Sequence, residues 1–143
     1  MIIDCHGHYT TAPKALEEWR SRQVAGLKDP ATAPRAAELV ISDDALRESI
    51  ESNQLAKMKE RGSDLTIFSP RASFMAHHIG DFQTSATWSA ICNELCHRVS
   101  RLFPDHFIGA AMLPQSPGVD PKTCIPELEK CVNEYGFVAI NLN

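Results

Sequence analysis

The feature that most constrains this chain is a recurring order of short apolar strands and longer helical patterns. Met1–Tyr9, Leu65–Phe68, Phe107–Leu113 and Phe137–Asn143 read as strands, and helical stretches separate them. The apolar strands show no polar alternation that would mark a wet face. That pattern predicts parallel strands covered by helices and joined by right-handed crossovers. Two α/β architectures fit: an open doubly wound sheet, or the N-terminal half of a (β/α)8 TIM barrel with four parallel strands alternating with helices. The barrel is favoured because every strand runs out into polar residues: His6 and His8, then Ser69 and Arg71, then Gln115, then Asn141 and Asn143. A barrel gathers these on one rim.

Between the strands the helix signals are explicit. Pro13–Val24 reads as a short helix with proline in its first turn. Residues 26–41 lack a period and form a long excursion of the kind used as lids or binding loops. Ser42 is the expected N-cap of the next helix, Asp43 and Asp44 suit its positive end, and Gly62 closes it. A third helix is expected from Thr84 or Ser85, with Trp88, Ile91, Leu95, Val99 and Leu102 as its buried stripe and Pro104 as its stop. A fourth runs through Leu128, Cys131, Val132 and Tyr135, its start obscured by Pro126. Trp19, Trp88 and Phe103 read as core.

Ile2 and Ile3 are expected to lie in a buried strand, and His6 and His8, two residues apart, point the same way with Cα atoms about 7 Å apart. Imidazoles so placed converge on one divalent ion, zinc first. The plainer alternative is a pair of polar residues at a strand edge. By the same alternation Asp4 shares their side, as a carboxylate orienting an imidazole or as half of a buried ion pair. His77 and His78 are expected in a rim-side loop, either approaching the metal or as a solvated pair, His97 inside a helix, and His106 at the opposite end of the sheet.

Composition narrows the partners. A formal net charge of −4 without a basic stripe argues against nucleic acid and anionic membranes. No apolar run approaches the ~20 residues that cross a bilayer, and the start does not read as a signal peptide. Five cysteines without a Cys-x-x-Cys pair suit a reducing compartment, so a cytoplasmic location is expected, and Cys92 and Cys96 read as buried thiols.

Ile-Asp-Cys-His-Gly-His at the start, Ser-Pro-Arg-Ala-Ser after the second strand, Met-Leu-Pro-Gln after the third and the closing Asn-Leu-Asn together resemble the amidohydrolase superfamily. Within it they resemble the branch of the aminocarboxymuconate-semialdehyde decarboxylases and zinc-dependent 4-oxalomesaconate hydratases. The resemblance implies a (β/α)8 barrel with a divalent metal, Zn2+ foremost, held at the rim by His6 and His8 and by residues of later strands. It implies a metal-dependent lyase that hydrates an unsaturated keto polycarboxylate in aromatic-compound degradation. Arg71 is then the expected carboxylate clamp; Ser69 either supports it or caps a turn, and Asn141 and Asn143 either bind substrate or satisfy interior polar groups. The alternatives are a decarboxylase or hydrolase of the same superfamily, or an inactive half-barrel that acts as an interaction module. A barrel needs about 250 residues, so residues 1–143 are expected to be one partial domain of a longer enzyme. Its open outer strands invite pairing, and a homo-oligomer is expected.

Overall fold

A computed structural model describes residues 1–71 and 75–142. The sequence expectations at Ala72, Ser73, Phe74 and Asn143 lie outside them. Four strands, β1 (Ile3–Tyr9), β2 (Leu65–Pro70), β3 (Phe107–Met112) and β4 (Ala139–Asn141), form a sheet in which every neighbouring pair is parallel. Their order is β1-β2-β3-β4, the curled half-barrel that the strand-helix repeat predicts.

Two faces of the sheet follow from the register. Thr66, Phe68, Phe107 and Ala111 are buried against the helices. Ile67 pairs with Ile108 on the other, concave face, where both are only half-buried. The core lies on the helical side, where Phe68 and Phe107 meet Leu46, Ile50, Leu95 and Val99. Gly109 lets Phe137 into it: a Cβ at Gly109 would stand 2.1 Å from the Phe137 ring. Phe137 therefore belongs to the core, and the fourth strand is shorter than its apolar run predicts.

The helices are α1 (Lys14–Ala25), α2 (Asp43–Ser49), α3 (Ala56–Arg61), α4 (Phe82–Leu102) and α5 (Ile125–Asn133). Ser42 caps α2 by accepting the Ala45 N–H, and Gly62 ends α3 at φ 67°, the left-handed conformation that suits glycine. A π-helical segment, Ile50–Leu55, joins α2 to α3. Trp19 of α1 stacks on Trp88 of α4, with centroids 6.3 Å apart, in a second cluster with Met75, Cys92 and Met112. Residues 26–41 hold two short 3-10 turns and are tied to the helices: the Trp19 indole donates to the Arg35 carbonyl, and Arg98 donates to the Ile41 carbonyl.

Several expectations need correction. The start of β1 is not buried: Ile2 and Ile3 are 59% and 49% exposed, because among the described residues β1 is an outer strand with no neighbour on one side. β2 continues through Ser69 and Pro70, which pair with His8 and Tyr9, so the proline is the last rung of the strand. Helix α4 starts two residues before Thr84, with Asp81 accepting the Thr84 N–H. Pro126 lies in the first turn of α5, where its missing N–H costs no helical bond.

Candidate metal centre

His6 and His8 stand near the C-terminal end of β1, and a bulge sets their geometry. Asp4 pairs with Thr66 and Gly7 with Phe68, so three steps on β1 match two on β2. The extra residue breaks the alternation that would place Asp4 beside the two histidines. The Asp4 carboxylate instead accepts the His6 backbone N–H at 3.0 Å, in an exposed setting that rules out a buried ion pair. Gly7 allows the bulged strand to lie close to β2, since a Cβ there would be 2.1 Å from Thr66 Cγ2.

The two rings meet edge to face at an interplanar angle of 85°, with His6 Nε2 and His8 Nε2 3.0 Å apart. Nitrogens bonded to one cation at 2.0–2.1 Å lie about 2.9 Å apart at a right angle and about 3.3 Å apart in a tetrahedron. The donor pair therefore fits one divalent cation, and neutral imidazole suits zinc and its first-row neighbours. No third His, Cys, Asp or Glu joins the pair among the described residues. Among the described residues His6 and His8 are thus a two-nitrogen donor pair.

The other sequence-predicted residues divide between two places. His8 Nδ1 lies 2.8 Å from Ser69 Oγ and 3.1 Å from the Pro70 carbonyl oxygen. Asn141 Nδ2 donates to Ser69 Oγ at 3.2 Å, so residues of β1, β2 and β4 are linked at the strand ends. Arg71, just past β2, is exposed and lines a cavity of about 80 Å³ with Tyr9, Leu16, Trp88, Cys92 and Met112.

The remaining histidines stay apart from the site. His77 is buried rather than solvated; its Nδ1 contacts Ser85 Oγ at 2.7 Å, and burial, with Arg20 and His78 nearby, holds its pKa below the usual imidazole range. His78 is exposed as expected. His97 stacks on Tyr135, and His106 precedes β3, its carbonyl accepting the Thr66 N–H. The five cysteines are free, and burial pushes the thiols of Cys92 and Cys96 well up, as befits small core residues.

Two supporting residues escape sequence reasoning. Gln54, in the π segment, donates to the His8 carbonyl and to Thr10 Oγ1, bracing the end of the histidine strand. Its signal is the five-residue gap between buried Ile50 and Leu55, one more than an α-helical turn allows. Asn93, fully buried in α4, bonds both the N–H and the C=O of Met112 at the end of β3, each at 2.8 Å. No local signal points to it, since its partner lies 19 residues away.

Residues 3–143 match the family model described as amidohydrolase. The chain is 57% identical over 143 residues to a 2-keto-4-carboxy-3-hexenedioate hydratase of Sphingobium sp. strain SYK-6, covering 100% of this chain and 41% of that protein. The crystal structure of a 4-oxalomesaconate hydratase from Rhodopseudomonas palustris superposes with a TM-score of 0.95 at 76% identity, covering 100% of this chain and 42% of that one. A dihydroxybenzoic acid decarboxylase from Polaromonas sp. JS666, solved with manganese and 2-nitroresorcinol bound, superposes at 0.65 with 26% identity, over 99% of this chain and 38% of that one. The chain thus spans about two fifths of the length of these relatives.

Proposed function

The chain belongs to the amidohydrolase family, and from that premise we propose that it is the N-terminal part of a zinc-dependent hydratase. The substrate is 4-oxalomesaconate or a close unsaturated keto polycarboxylate, a product of aromatic-compound breakdown. The observation that carries this reading is the likeness to a 4-oxalomesaconate hydratase over the whole chain, at 76% identity against 26% for the decarboxylase. In this reading residues 1–143 are one partial barrel domain, and the remaining ligands come from strands beyond β4.

His6 and His8 hold the cation through Nε2. Zinc, when bound, supplies Lewis acidity for adding water to an electron-poor double bond. Arg71 offers a planar guanidinium, whose two parallel donors match a substrate carboxylate. Asn141 and Ser69 border the same concave end of the sheet. The five free thiols support a reducing, cytoplasmic setting, and the exposed apolar side chains of the outer strands support self-association of residues 1–143 when they stand alone. No helix among the described residues is long and apolar enough to cross a membrane.

The test uses the complete protein. Purified enzyme is expected to carry zinc by elemental analysis and to hydrate unsaturated keto polycarboxylates without releasing carbon dioxide. His6→Ala is expected to lose the zinc, and Arg71→Ala to raise KM. Carbon dioxide release as the main reaction, or zinc unchanged in His6→Ala, refutes the reading.

A further inference from the structure

Among the described residues Ser69 Oγ has four neighbours whose hydrogen-bonding roles are nearly all fixed. The carbonyl oxygens of Gly7, at 3.1 Å, and Pro70, at 3.3 Å, only accept. The Asn141 carboxamide N–H, at 3.2 Å, only donates. The fourth neighbour, His8 Nδ1 at 2.8 Å, takes either role according to its tautomer. Two contacts set it: the Gly7 carbonyl takes the Ser69 hydroxyl proton and leaves Oγ to accept, and the Pro70 carbonyl faces the same ring nitrogen. The Pro70 oxygen lies 3.1 Å from Nδ1, and two lone pairs facing at that distance repel. With the proton on Nδ1 each group has a partner: Ser69 donates to the Gly7 carbonyl and accepts from Asn141, and the His8 Nδ1–H is shared between Ser69 Oγ and the Pro70 carbonyl. With the proton on Nε2, the Pro70 oxygen faces a bare Nδ1 lone pair.

We propose that Ser69 and Asn141 are positioning residues that hold His8 as its Nδ1–H tautomer, with the Nε2 lone pair turned towards the place of the cation. The inference rests on the metal reading of His6 and His8 given above. Asn141 fixes Ser69, Ser69 and the Pro70 carbonyl fix the imidazole, and neither side chain needs to touch the cation. The 3.0 Å contact between the two Nε2 atoms then has one sense: His6 donates and His8 accepts. A cation takes the place of that proton. The arrangement also explains why a strand-end serine is 4% exposed: its hydroxyl is turned into the network behind His8.

The tautomer is read without metal, from long-range 1H–15N correlation spectra of the metal-free complete protein at mildly alkaline pH. The wild type is expected to show His8 protonated mainly at Nδ1. Ser69→Ala is expected to lower the Nδ1–H to Nε2–H ratio at least about twofold, and to weaken zinc binding, titrated against a competing chelator, about 10- to 100-fold. Asn141→Ala, which leaves Ser69 in place, is expected to cost about two- to tenfold. Ser69→Thr, which keeps the hydroxyl, is expected to restore both readings. A wild-type His8 protonated at Nε2 overturns the proposal, as does a Ser69→Ala protein with unaltered tautomer and affinity. If the tautomer responds while the wild type takes up no zinc, the metal reading fails and the positioning role stands. If zinc binds but neither variant alters tautomer or affinity, the positioning role fails alone.

Discussion

Truncating Asn93 to alanine should be among the most damaging single changes in this chain. The carboxamide donates to the Met112 carbonyl and accepts the Met112 N–H, so it acts as a strand partner for the last residue of β3. It also donates to Glu127 Oε1 at 2.7 Å, tying α4 to α5. Asn93 and Met112 are both fully buried, so no solvent replaces what is lost. Each hydrogen bond contributes about 0.5–1.5 kcal/mol net, and each backbone group left buried and unpaired costs about 1–3 kcal/mol. Asn93→Ala is therefore expected to destabilise the chain by about 3–5 kcal/mol, a large share of the roughly 5–15 kcal/mol that holds a domain together. Urea denaturation followed by circular dichroism and tryptophan fluorescence measures this directly. A loss of that size lowers the midpoint by about 2 M for a typical slope. Glu127→Ala removes the outer bond and a weak contact from the Cys131 thiol, leaves both Met112 groups paired, and is expected to cost about 1 kcal/mol. A loss below about 1.5 kcal/mol for Asn93→Ala, or equal losses for the two variants, refutes the strand-partner role.

Two further predictions concern the core. Burial pushes the Tyr9 phenol up to about 12, against the opposing pull of its hydrogen bond to Ser49. The unfolded phenol releases its proton near pH 10, so stability is complete below that pH and falls as pH rises from about 10 to about 12, by roughly 2–3 kcal/mol. Denaturation of wild type and Tyr9→Phe across that range checks it, since the phenylalanine variant should lack this part of the decline; parallel curves contradict the assignment. Gly109→Ala places a methyl within 2.1 Å of the Phe137 ring. Such overpacking costs about 1–3 kcal/mol, or a fall in Tm of roughly 3–10 °C, and Phe137→Leu in the same chain should recover part of it. An unchanged Tm in the single variant counts against the packing described.

The strand ends were the legible part of this sequence, because apolar β runs stop where the ladder loses its cover and polar residues begin. That rule located His6, His8, Ser69 and Asn141 on one end of the sheet, and the structure links Asn141 to Ser69 and Ser69 to His8. Burial was less legible. Ile2 and Ile3 have the composition of an inner strand, yet β1 is an outer one, and composition does not record which strand lacks a neighbour. Alternation failed at Asp4 because a bulge adds one residue without a mark in the sequence. The burial of His77 is hidden for a related reason: its ring meets Ser85 of α4 and lies near Arg20 of α1, which is remote in sequence. The partners of Gln54 and Asn93 are set by tertiary contact 46 and 19 residues away, which no window of local sequence contains.

The sequential order β1-β2-β3-β4 has a consequence for how the molecule is made. Each strand docks beside the one synthesised just before it, so no strand waits on the ribosome for a partner made later than its neighbour in sequence. Vectorial assembly of this kind leaves a single growing edge. Val138, Ile140 and Leu142 stand exposed along that edge, so a nascent chain paused here offers a sticky, unpaired strand to chaperones and to its neighbours on a polysome.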